Sequence, residues 1–168
     1  FFNDTATTEI YTLSPTRRSS DLTKNRTVLC GITTLEVTAM KQITSFTINH
    51  DYLKPGMYIS RVDGDVVTYD MRMKLPNNPA GDYLEDNALH TFEHLFATYV
   101  RNTPLSDGVV YVGPMGCRTG FYFLTRDTVS GADAIRLVQE TLQYVLDFTG
   151  EIPGGKRQEC GNYLAHDL

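Results

Sequence analysis

His90 and His94 stand four residues apart with Glu93 between them, and this spacing constrains the chain more than any other feature of its sequence. Residues four apart share one face of an α-helix, so the two rings reach a common ion only if the stretch is helical. The surrounding pattern agrees. Over residues 86–101 apolar side chains recur at helical period, and Leu89, Phe92, Phe96 and Tyr99 are predicted to face a core. Asp86 or Asn87 is available as N-cap, and Thr103-Pro104 is a natural stop. The order His-x-x-Glu-His names a metal more reliably than it names a reaction.

The flanking segments read mostly as strands. Residues 43–48 alternate and are predicted to form one; residues 57–62 and 66–73 form two more, joined by Asp63-Gly64-Asp65, a strong hairpin signal. Proline, glycine and asparagine make residues 75–81 a loop. Strands are predicted again at 109–112 and 120–125, around the break Pro114-Met115-Gly116-Cys117. Ser130-Gly131-Ala132-Asp133 has the form of a capping box. A second helix should run from it to about Phe148, burying Ile135, Val138, Leu142, Val145 and Leu146. The fold class expected is α+β, a single domain with an antiparallel sheet packed against two or more helices.

Charge and cysteine usage exclude several classes. Lys and Arg number 15 against 20 Asp and Glu, for a net charge of −5. That is the wrong sign for a track along nucleic-acid phosphates or for an anionic membrane surface. No apolar run approaches the roughly 18 residues of a membrane span. Cys30, Cys117 and Cys160 make no even-numbered disulfide framework and suit a reducing compartment.

Residues 1–22 are expected to be a translated artefact. They show neither helical nor strand periodicity, and NDTATTEIYTLS and PTRRSSDL can be back-translated into a common sequencing-library adapter. Residues 23–39 are expected to be untranslated leader or a disordered arm, although 28–32 have the composition of a strand; Cys30 then leaves the functional inventory. Patterning begins just after Met40, which places the domain at 40–168.

A catalytic metal site keeps three protein ligands and an open position, so His90 and His94 need a third. Cys160 is the best candidate: it is soft, it lies in a glycine-flanked loop able to fold back, and a His2Cys set suits zinc or ferrous iron. His50 and His166 are alternatives. Cys117 sits beside Arg118, whose cation would favour a thiolate. Glu93 could orient a ligand or move protons. Ser45, His50 and Arg72 are polar residues in or near strands, able to bind a hydroxylated anionic substrate.

Together, His90-Thr91-Phe92-Glu93-His94-Leu95, Pro114-Met115-Gly116-Cys117-Arg118-Thr119-Gly120-Phe121-Tyr122, Glu151-Ile152-Pro153, Cys160-Gly161 and His166-Asp167-Leu168 resemble the S-ribosylhomocysteine lyases, the LuxS-type autoinducer-2 synthases. Ser45-Phe46-Thr47-Ile48-Asn49-His50 is similar to the family's S-F-x-x-D-H opening, with Asn49 in place of Asp. Asp70-Met71-Arg72 is similar to its D-x-R strand. The resemblance runs in order from about Met40 to the last residue.

The resemblance implies a homodimeric, cytoplasmic, bacterial enzyme. It would cleave S-ribosylhomocysteine to homocysteine and 4,5-dihydroxypentane-2,3-dione, the autoinducer-2 precursor, in quorum sensing and the activated methyl cycle. It implies that His90, His94 and Cys160 hold the metal, ferrous iron with zinc or cobalt as substitutes. Cys117 and Glu93 would be the acid/base pair, and Ser45, His50 and Arg72 would contact substrate at the dimer interface. It also implies a C-terminal helix of about two dozen residues after Leu168, so the domain is expected to be truncated there.

The chemistry suits these residues, because the carbonyl must migrate along the sugar before the thioether can leave, and migration needs repeated proton transfer next to a carbonyl. Two other readings stay open. One is a His-x-x-Glu-His metallopeptidase, with Glu140 or Glu159 as third ligand and Glu93 activating a water. The other is a non-enzymatic metal-binding domain closed by His90, His94, Cys160 and Cys117.

Overall fold

The computed structural model describes residues 10–12 and 42–167. The expectations for 1–22, 23–39 and Cys30 lie outside these residues, apart from a short strand at Ile10–Thr12. The chain divides into two compact units, residues 1–13 with 50–168, and residues 14–49.

The first unit carries the expected α+β architecture. Its elements in chain order are β1 (Ile10–Thr12), β2 (Gly56–Asp63), β3 (Val66–Arg72), α1 (Asp86–Arg101), β4 (Val109–Pro114), β5 (Gly120–Arg126) and α2 (Gly131–Leu146). The sheet order is β1-β2-β3-β5-β4. Four strands are antiparallel as predicted, while β1 adds a parallel edge, with Ile10 opposite Met57. The β2–β3 hairpin closes through Gly64 at φ +60, the left-handed value that such two-residue turns demand. Among the described residues no helix is long and apolar enough to cross a membrane.

Alternation along the two central strands separates the faces of the sheet. Tyr69 pairs with Phe123 and Met71 with Phe121, and all four are buried against the helices. From α1, Phe92 meets Phe121 at 4.7 Å between ring centroids and Phe96 meets Phe123 at 5.5 Å. Each fully buried phenylalanine contributes roughly 2–3 kcal/mol. Asp70 and Arg72 point to the other face and are nevertheless buried, at 3% and 7% exposure. That burial determines the electrostatics of the thiol site.

The helices depart from expectation in detail. The N-cap of α1 is Glu85, in extended conformation and without a side-chain hydrogen bond, rather than Asp86 or Asn87. Leu84 N–H is taken by the Arg118 carbonyl at 2.9 Å, so the chain enters the helix from a tertiary contact instead of a local cap. On α2 the Ser130 cap is confirmed, its hydroxyl accepting from Asp133 N–H at 3.1 Å. Its fully buried residues are Ala134, Leu137 and Thr141; the predicted Ile135 and Val138 pack partly buried against the same core, whereas Leu146 is 79% exposed.

In the second unit the strand predicted at 43–48 is instead a 3-10 turn at Thr44–Phe46. Phe46 N–H bonds to the Ile43 carbonyl, and the Gln42 amide donates to the Phe46 carbonyl, so these two local bonds close the turn.

Candidate active site

Helix α1 presents His90 and His94 side by side, with ring centroids 4.7 Å apart and their planes perpendicular. Each ring is oriented through its Nδ1. His90 Nδ1 lies 2.7 Å from the Ala165 carbonyl and His94 Nδ1 lies 2.7 Å from the Pro153 carbonyl. A carbonyl only accepts, so both Nδ1 atoms carry the proton and both Nε2 lone pairs are left free to ligate. The backbone of residues 150–167 therefore fixes the tautomer of two histidines on another element.

The same segment supplies the third donor. Cys160 Sγ lies 3.4 Å from His90 Nε2 and accepts from Asn162 N–H at 3.4 Å. Metal–nitrogen and metal–sulfur bonds of about 2.0 and 2.3 Å at a tetrahedral angle require an N···S separation of about 3.5 Å. The donor set thus fits a resident divalent ion. His166 completes the group: ligand atoms of His90, His94, Cys160 and His166 lie within 4.8 Å of one another. Its ring stacks on His90 at 4.1 Å, its Nδ1 is 3.3 Å from Thr91 Oγ1, and its buried Nε2 has no partner among the described residues. Burial, then the neighbouring His90 and His94, hold its imidazole below the ordinary value. His166 thus stands beside Cys160 rather than in place of it, and His50 does not join the group.

Cys117 occupies a second locus, at the tip of the loop between β4 and β5. Met115 N–H bonds to the Gly120 carbonyl and Arg118 N–H to the Met115 carbonyl, with Arg118 in the left-handed region at φ 57. The exposed thiol lies 3.1 Å from Thr119 Oγ1 and 3.7 Å from Arg72 Nη1. Arg72 also donates to Thr119 Oγ1 at 2.8 Å and to Asp70 Oδ2 at 3.0 Å. Burial pushes the thiol up, but hydrogen bonds from the Thr119 hydroxyl and backbone and the charge of Arg72 outweigh it and leave Cys117 below its ordinary value. The cation expected to do this, Arg118, instead faces Asp86 at 3.6 Å.

The two loci are joined through the start of α1, where Leu84 and Asp86 contact Arg118. Glu93 is half-buried and lines a groove of about 460 Å³ with Arg101 and Tyr111. His50 lies on a 3-10 turn, His50–Tyr52. Ser45 is exposed on the turn of the second unit. Neither glutamate nominated for a peptidase belongs to the ligand group: Glu140 pairs with Arg136 at 3.7 Å, and Glu159 accepts from Lys156 N–H at 3.3 Å. Cys117 is outside it as well, so the closed set proposed from sequence does not form. Sequence reasoning missed Thr119. Its signal was a hydroxyl two residues beyond the cysteine of a tight glycine-containing turn.

A family model described as S-ribosylhomocysteinase (LuxS) matches residues 43–168. A protein of Phocaeicola vulgatus named S-ribosylhomocysteine lyase is 52% identical, over 77% of this chain and 82% of the relative. Proteins of the same name from Porphyromonas gingivalis and Clostridium acetobutylicum are 49% and 45% identical, over 77% of this chain and 83% and 84% of theirs.

Proposed function

The chain belongs to the S-ribosylhomocysteinase (LuxS) family, and from that premise we propose that it is a metal-dependent carbon–sulfur lyase. It cleaves S-ribosylhomocysteine to homocysteine and 4,5-dihydroxypentane-2,3-dione, the autoinducer-2 precursor. One observation carries this reading: Cys160 Sγ and His90 Nε2 at metal-bridging distance, beside His94, with both histidine Nδ1 atoms already committed to carbonyls.

The thioether leaves from a sugar carbon that an aldehyde at the far end does not activate. Elimination therefore waits until the carbonyl has moved from the first carbon to the third. His90, His94 and Cys160 hold the ion, ferrous iron, for which zinc or cobalt substitutes. When bound, it supplies Lewis-acid polarisation of the substrate oxygens.

Cys117, as thiolate, removes a proton from the carbon next to the carbonyl and returns it to the neighbouring carbon, and does so twice. It then takes the proton from the fourth carbon, and the carbon–sulfur electron pair leaves with the homocysteine thiolate. Glu93 moves the oxygen-bound protons and protonates that leaving thiolate. Ser45, His50 and Arg72 bind the sugar and its polar chain. The working enzyme is a cytoplasmic bacterial homodimer.

The test is an anaerobic assay of iron-loaded full chain for homocysteine release. No turnover with metal bound and the protein folded would overturn the assignment.

A further inference from the structure

The proposed reaction asks one sulfur to be alternately a thiol and a thiolate while staying in place. An exposed cysteine on a loop tip has no intrinsic reason to do so. The groups around Cys117 supply one. Arg72 is donor-only, so its 2.8 Å contact with Thr119 Oγ1 leaves the threonine as acceptor and directs the hydroxyl proton elsewhere. Two sulfur acceptors are within reach, Cys117 Sγ at 3.1 Å and Met115 Sδ at 3.9 Å. A hydroxyl oxygen has two lone pairs, and the second can accept the thiol proton of Cys117.

We propose that Thr119 is a positioning residue whose hydroxyl rotates with the protonation state of Cys117, accepting from the thiol and donating to the thiolate. In the thiol state Oγ1 accepts from Arg72 and from the Cys117 S–H, and its own proton points toward Met115 Sδ. When the thiol proton leaves for a base, the hydroxyl turns and donates to the thiolate without moving the sulfur. Arg72 keeps its bond to Oγ1 in both states, because Asp70 holds the other arm of its guanidinium. The 3% exposure of Thr119 keeps water from substituting for the hydroxyl. A hydrogen bond to the ionised sulfur is stronger than one from the neutral thiol, so the arrangement favours the thiolate.

This inference rests on the role of Cys117 in the proposed lyase, but its test does not need turnover. The rate of iodoacetamide modification of Cys117 is measured against pH in metal-loaded full chain, by mass spectrometry of the Cys117 peptide. Thr119→Val and Thr119→Ala should shift the midpoint upward and slow modification near neutrality by about three- to tenfold. Thr119→Ser, which restores the hydroxyl without the methyl, should return the parent profile. A parent-like profile in Thr119→Ala, or a Thr119→Ser profile that matches it in being shifted, would overturn the proposal. If Thr119→Val fails to fold, the Ala and Ser variants decide. Shifted profiles in the Thr119 variants, with a metal-loaded parent chain that itself releases no homocysteine, would support the positioning role while sinking the lyase reading.

Discussion

Arg72 Nη1 lies 3.7 Å from Cys117 Sγ, while its Nη2 is tied to Asp70 at 3.0 Å, with both charged side chains nearly excluded from solvent. The carboxylate thus fixes a cation against a thiol without neutralising it from the thiol's side. A lowered thiol value means that ionisation occurs at lower pH than for a free cysteine, so the thiolate fraction near neutrality rises. Arg72→Gln should raise the midpoint of Cys117 alkylation. Arg118→Gly should leave it unchanged and relieve a residue at φ 57, since that side chain faces Asp86. Equal shifts in the two variants would show that Arg72 is not the controlling charge.

The separation of the two loci predicts separable losses. Cys117→Ala should retain metal and lose homocysteine release by about 100-fold or more, since proton transfer by a positioned group is worth at least that much. Cys160→Ala should lose metal and activity together. Metal content by mass spectrometry, read beside thiol release, decides between them. Activity near the parent's in Cys117→Ala would end its acid/base assignment.

Gly154 extends the metal site beyond its donors. At φ +68 it adopts a conformation that side chains disfavour, and a Cβ there would stand 3.1 Å from His94 Nδ1. That atom is bonded to the adjacent Pro153 carbonyl. Gly154→Ala should therefore tilt the ring and weaken metal binding about 10- to 100-fold, the usual effect of disturbing a group that orients a ligand. Competition with a chelator measures the change. Unaltered affinity would show that the ring tolerates the displacement.

What was legible in the sequence follows local physics. The span of α1 came from its period and its Thr103-Pro104 stop, and the β2–β3 hairpin came from Gly64, because each signal lies within a few residues of what it specifies. The grouping of His90, His94 and Cys160 was legible because metal chemistry restricts the residue types. The face of α2 was read in part, since Ile135 and Val138 do pack against the core while Leu146 is exposed. Leu137 packs in the core, but Ala134 and Thr141 complete the buried stripe, and neither scores as strongly apolar. Arg72 was read as a polar strand residue able to bind an anionic substrate, with no sign of its burial. Its burial and its Asp70 partner depend on the pairing of β3 with β5, a contact across about 50 residues that no window reveals.

That pairing also supplies the most direct link between strand register and chemistry. Gly120 is opposite Arg72, and a Cβ on it would collide with the Met71 carbonyl oxygen and lie 3.1 Å from Arg72 Cα. Both obstacles are backbone, so no rotamer change can accommodate them. The end of β5 would have to part from β3, and the Gly120 carbonyl that accepts from Met115 N–H would move with it. Gly120→Ala should cost about 2–3 kcal/mol in urea unfolding, as overpacking does. It should also draw Thr119 and Cys117 away from Arg72, raising the pH of thiol ionisation. Metal affinity should survive, because the proposed ligands come from α1 and from Cys160 rather than from this hairpin. Loss of metal with an unchanged thiol profile would reverse that assignment of parts.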